Sequence, residues 1–120
     1  MKAINRTRGT VLCERVEDAG GLAGQSRGLL GRTGLEPGEG LLFVNNGPVP
    51  LMWMHMFLMK FAIDIVFLDR SGVVLKIDGD LKPWRLSSPV LRARRALELA
   101  SGAADRSATQ VGDVIEFEET

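Results

Sequence analysis

The chain has 120 residues, enough for one ordinary domain and too few for two independent cores. Apolar residues make up 45% and charged residues 25%, a globular rather than a disordered balance. Lys and Arg number 15 against 15 Asp and Glu, and the zero net charge removes the electrostatic basis for sequence-independent nucleic-acid binding.

Met1 to Gly9 carries charge but no apolar run, so no signal peptide is expected. Thr10 to Glu14 alternates weakly and predicts a first strand. From Val16 to Leu30 the apolar residues Val16, Ala19, Leu22, Ala23, Leu29 and Leu30 fall at helical spacing, with Glu17 and Asp18 near the start and Arg27 and Arg32 near the end. Gly20, Gly21, Gly24 and Gly28 each cost ~1 kcal/mol in such a helix, which therefore has to pack closely on a sheet.

Glu36-Pro37-Gly38 marks a turn, and Leu41 to Val44 predicts a short buried strand ended by Asn45-Asn46-Gly47-Pro48. Leu51 to Met59 is almost wholly apolar and predicts a strand buried on both faces. The most apolar stretch, Gly47 to Met59, falls short of the ~18 to 20 residues a bilayer span needs. Phe61 to Leu68 predicts a strand, with Asp69-Arg70-Ser71-Gly72 turning it into Val73 to Ile77. Lys82 must be extended before Pro83. Ala96 to Ala100 is a further strand, Gly102 to Gln110 has room for a short second helix, and Val111-Gly112-Asp113 turns into a last strand, Val114 to Phe117. The expected architecture is a mainly β, α+β single domain spanning residues 1–120: a mixed sandwich or barrel with one glycine-rich helix packed on it. A soluble, cytoplasmic protein is expected, with Cys13 reduced.

Asp64 is the most informative polar residue, because alternation puts it on one strand face with Ala62, Val66 and Leu68. A carboxylate there needs a partner. It is either a structural group, in an ion pair or capping a turn, or a pocket acid that orients a ligand or takes a proton. Arg27 and Arg32, flanking Gly28 to Gly31, suit bidentate contact with a carboxylate or phosphate, and with Lys60 they are the expected cations for Asp64. His55, the single histidine, reads as a core residue or a base, and Cys13 as a small buried hydrophobe rather than a nucleophile. One cysteine excludes an internal disulfide, and Cys13 with His55 is too small a set for a structural zinc site. Met52, Met54, Met56 and Met59 raise Cu(I), but alternate strand positions stand too far apart to close on one ion, so neither metal nor cofactor is expected. Arg92, Arg94 and Arg95 form a basic cluster, in which the alternating pair Arg92 and Arg94 reads as a solvated strand face or loop.

Taken together, Arg27 to Arg32, Gly40 to Phe43, His55 to Asp69, Lys82 to Arg85, Leu97 to Leu99 with Gly102, and Val111 to Asp113 resemble the bacterial and archaeal family DUF192, a domain of unknown function. The resemblance covers nearly the whole chain in order. It implies a mostly β domain with a helix against it, and no established activity. Ala62 and Ala100 stand where the family pattern usually has proline, and Ala108-Thr109 where it usually has Gly-Leu.

The expected function is a binding module for a small polar or anionic ligand, in a cleft lined by Arg27, Arg32, His55, Asp64 and Trp84, with Trp84 as an apolar wall. Neither nucleic acid nor membrane is expected as a partner. The alternatives are a structural or interaction domain in which these residues only hold the fold, and, ranked last, an enzyme using Asp64 or His55 as general acid or base.

Overall fold

The computed structural model describes residues 1–20, 34–53 and 61–119. Within them lie ten strands and one short helix: β1 (Lys2–Asn5), β2 (Thr10–Cys13), β3 (Arg15–Gly20), β4 (Glu39–Val44), β5 (Leu51–Met52), β6 (Ile63–Leu68), β7 (Val74–Leu81), β8 (Val90–Leu91), β9 (Arg95–Ala100), α1 (Ala103–Arg106) and β10 (Ile115–Glu118). They form a five-stranded sheet in the order β3-β4-β9-β6-β7, a three-stranded sheet in the order β10-β1-β2, and a two-stranded ribbon of β5 and β8. The fold is mostly β, as expected, and the sheets of the described residues do not close into a barrel.

The continuous apolar run of β6 is explained by its interior place between β9 and β7, where both faces are covered and every residue is buried. Ile63, Ile65 and Phe67 join Leu41, Phe43 and Ala96 on one face, beneath Met52, Val90 and Ala93. Val66 and Leu68 join Leu42, Leu97 and Leu99 on the other, against Ala3, Leu12, Ala103 and Ile115. The period-2 reading of this strand therefore holds residue by residue.

Two expectations are corrected. Val16 to Gly20 is not the start of a helix but lies in strand β3, parallel to β4, with Val16 opposite Gly40 and Asp18 opposite Leu42. So short a run of mixed acidic and apolar residues serves a strand as well as a helix turn, and pairing with β4 decides between them. The remainder of the expected helix, with Arg27 and Arg32, lies outside the described residues. Of the expected doubly buried strand from Leu51, the described residues form a strand at Leu51–Met52, with Met52 buried and Leu51 and Trp53 exposed. Residues 54–60, with His55, lie outside the described residues.

Helix α1 ends in a Schellman motif: Ala108 N–H bonds Asp105 O at 3.0 Å and Thr109 N–H bonds Ala104 O at 3.0 Å. That closure requires a left-handed residue, and Ala108 takes it at φ 57 where the family pattern usually has glycine.

Candidate functional site

Asp64 projects from β6 toward α1 and is 2% exposed. Its Oδ1 accepts the backbone N–H of Asp80 at 2.8 Å, and its Oδ2 accepts those of Gly102 at 3.1 Å and Ala104 at 2.9 Å. Gly102 is the N-cap of α1 and offers no side chain, so the carboxylate serves as the cap from a neighbouring strand. Within the described residues the backbone itself answers Asp64, while the expected cations Arg27, Arg32 and Lys60 lie outside them. Three backbone N–H groups answer a buried carboxylate as well as a guanidinium does, and of the two readings the capping one matches its described partners. Asp80 in turn accepts Ser101 Oγ–H at 2.6 Å and pairs with Lys82 at 2.6 Å, fixing the β7 side of the junction. Trp84 lies on the surface, 61% exposed, in a left-handed turn at φ 66.

A second polar junction closes the ends of the chain. Asn5, fully buried, donates to Thr109 Oγ1 at 3.1 Å and to Asp113 Oδ2 at 3.0 Å. Hydrogen bonds from the side chains of Arg8 and Asn5 hold the Asp113 carboxyl down at about 2.

Across the face of the larger sheet opposite α1, register places Leu41, Glu98, Ile65 and Asp78 in one row. Burial among apolar neighbours pushes the Glu98 carboxyl up to about 8. Asp78 Oδ1 pairs with Lys76 at 3.0 Å, while its buried Oδ2 has no hydrogen-bond partner among the described residues. Sequence reasoning passed over Glu98, although an acid between Leu97 and Leu99 is the same signal that marked Asp64. Cys13 is buried, donates to Gly38 O at 3.1 Å, and has its thiol pKa raised by desolvation, which fits an unreactive core residue. No metal-binding group of three acidic, cysteine or histidine residues occurs among the described residues.

Among the described residues, anion-suited geometry occurs in a groove near the end of β4. This groove, of about 350 Å³, is lined by Val44, Asn45, Asn46, Gly47, Arg70, Arg94 and Arg95. Buried Asn45 shapes its rim: its Oδ1 accepts Gly47 N–H at 3.0 Å, and its Nδ2 donates to Val49 O and Leu51 O, each at 3.0 Å. Arg94 is anchored by Nη1 to Gly47 O at 2.6 Å and Asn45 O at 3.3 Å. Arg95 donates to Arg70 O at 3.2 Å and stacks over Phe117 at 5.4 Å. Burial lowers the Arg95 pKa, with the Asp69 charge acting the other way. Reading Arg94 as part of a solvated face missed this groove, because Asn45 and Arg94 meet only through tertiary packing across 49 positions.

The model of the DUF192 family, described as "Uncharacterized ACR, COG1430", matches residues 3–117. A UPF0127 protein of Thermococcus sibiricus is 33% identical over 118 residues, covering 96% of this chain and 73% of that protein. Another, from Pyrococcus abyssi, is 31% identical over 84 residues, covering 68% of this chain and 69% of that one. A protein of unknown function from Novosphingobium aromaticivorans superposes with a TM-score of 0.83 at 28% identity, covering 98% of this chain and 84% of that one. Sequence match and fold agree, and the chain belongs to the DUF192 family.

Proposed function

We propose that the protein is a binding module for a small anionic molecule, seated in the groove of Arg70, Arg94 and Arg95. The observation that carries this reading is the lining itself: three arginines and, among the described residues, no acidic side chain. Each guanidinium has five N–H donors in a planar fork matched to carboxylate and phosphate oxygens. Arg94 uses Nη1 on the loop carbonyls and Arg95 uses Nη2 on Arg70 O, so most donors remain for a ligand. Partial burial strips water from Arg95 and increases what it gains from an anion. The ligand class is the one inferred from sequence, and the residues are those of the described groove.

The test is a thermal-shift titration with inorganic phosphate, sulfate and citrate. A true ligand at a hundred times its Kd adds ~2.7 kcal/mol of stability. Arg70, whose side chain is exposed at a turn, is the residue to replace, since Arg94 also holds the loop. Arg70→Gln is expected to keep the parent's melting temperature and to lose most of the shift. The reading fails if no anion shifts the parent, or if Arg70→Gln responds as the parent does.

A further inference from the structure

The β5–β8 ribbon turns an apolar face outward. Leu51 and Leu91 are register partners and so stand side by side, while the neighbouring pair Met52 and Val90 faces the core. Val49 and Trp53 flank β5 in the chain, and Val49, Leu51 and Trp53 are 61%, 39% and 51% exposed, with Leu91 at 74%. Single exposed apolar residues are ordinary; four grouped on one short ribbon mark a contact surface.

Charge distinguishes the occupants. Asn45 to Trp53 contains no acid, and Leu81 to Leu97 contains Lys82, Arg85, Arg92, Arg94 and Arg95 and again no acid, in a chain whose total charge is zero. Exposed Arg92 adjoins the ribbon directly, its N–H bonding Pro50 O at 2.6 Å. A second copy would bring like charges together and would meet four apolar side chains, against the roughly 20–30 residues a side of a stable interface. An anionic bilayer fits better. It needs no shape complementarity, takes tryptophan and leucine at its interface, and attracts clustered arginines. The arginine groove adjoins the ribbon through Asn45, whose amide spans from the Gly47 rim to the Val49 and Leu51 carbonyls.

We propose that the Val49–Leu51–Trp53–Leu91 face docks on an anionic lipid surface, with the adjoining arginine groove receiving a headgroup phosphate. The headgroup contact rests on the anion reading above; the apolar contact does not. That no helix of the described residues is long and apolar enough to cross a membrane does not bear on contact at a surface, so the expectation of no membrane partner is set aside in this proposal.

The experiment is co-sedimentation of the full chain with vesicles of phosphatidylcholine alone or mixed with phosphatidylserine, alongside phosphate thermal shifts. The parent is expected to partition at least ~10-fold more onto the mixed vesicles, less so at high salt. Leu51→Gln with Leu91→Gln, both at exposed positions, is expected to lose that partition while keeping its melting temperature and its phosphate response. Should that double variant melt early, Leu91→Gln alone, at the most exposed of the four, replaces it. Equal sedimentation with both vesicle types overturns the proposal, as does undiminished sedimentation of the variant. A phosphate response without vesicle binding overturns the docking and leaves the anion reading intact. Vesicle binding that survives in Arg70→Gln, with no phosphate shift in the parent, supports the apolar contact and removes the headgroup one. Leucine-dependent dimerisation, or binding to polyglutamate, without vesicle binding assigns the face to another occupant and overturns the proposal.

Discussion

Asp64 Oδ2 stands 2.9 Å from the backbone nitrogen of Ala104, so strand β6 caps helix α1 from 40 positions away. With the bonds to Gly102 and Asp80, one side chain ties the interior of the larger sheet to its edge strand and to the helix. A four-residue helix is too short to persist on its own, and the cap is part of what holds it.

Removing that carboxylate has a definite cost. Asp64→Ala leaves three N–H groups without their acceptor, that of Ala104 buried and those of Asp80 and Gly102 part-buried. An unanswered buried donor costs about 1–3 kcal/mol, so the variant is expected to lose about 2–4 kcal/mol in urea denaturation. Asp64→Asn keeps one acceptor oxygen but aims an amide donor at backbone donors, and should fall between parent and Ala variant. An Asn variant as stable as the parent would mean that these bonds do not hold the junction.

Glu98 makes stability depend on pH in the unusual direction for an acid. Its folded pKa, about 8, lies above the ordinary 4.5, so the folded chain keeps a proton that the unfolded chain has released. Stability contributed by the neutral carboxyl is complete below about 4.5, declines as pH rises, and is exhausted above about 8. Glu98→Gln, neutral and nearly isosteric, removes this decline. Its advantage over the parent should grow between pH 5 and pH 8.5 to a few kcal/mol, since each pH unit separating the folded from the unfolded pKa is worth about 1.4 kcal/mol. Parallel denaturation curves at the two pH values check it, and an advantage that does not change with pH refutes it.

Ala108 is a strained residue in an otherwise regular helix ending. At φ 57 its Cβ crowds the backbone, a cost of roughly 1–2 kcal/mol that glycine avoids while losing part of the gain to unfolded-state entropy. Ala108→Gly is therefore expected to stabilise by up to about 1 kcal/mol, seen as a higher melting temperature. Destabilisation would show that the left-handed turn is not maintained in solution.

Much of the strand layout follows from local pattern. Alternation in Ile63 to Leu68, the Asp69–Gly72 turn and the Gly112 turn each stand within a few residues, where side-chain periodicity and backbone freedom act. Strand β1 escaped notice because the residue it buries completely beside Ala3 is Asn5, a polar side chain whose partners Thr109 and Asp113 lie more than a hundred positions away. Two-residue β8 has no period to read.

Sequence by itself determined that the chain is a mainly β domain of the DUF192 family and that a buried carboxylate at position 64 demanded partners. Tertiary structure alone decided its partners among the described residues: three backbone N–H groups delivered by a strand edge and a helix start. It also decided that Arg70, Arg94 and Arg95 share a groove, and that Leu51 meets Leu91 on an outer face. The physical reason is that burial and periodicity are written along the chain, whereas the satisfaction of a polar group depends on which distant segments the sheet register brings within about 3 Å of it.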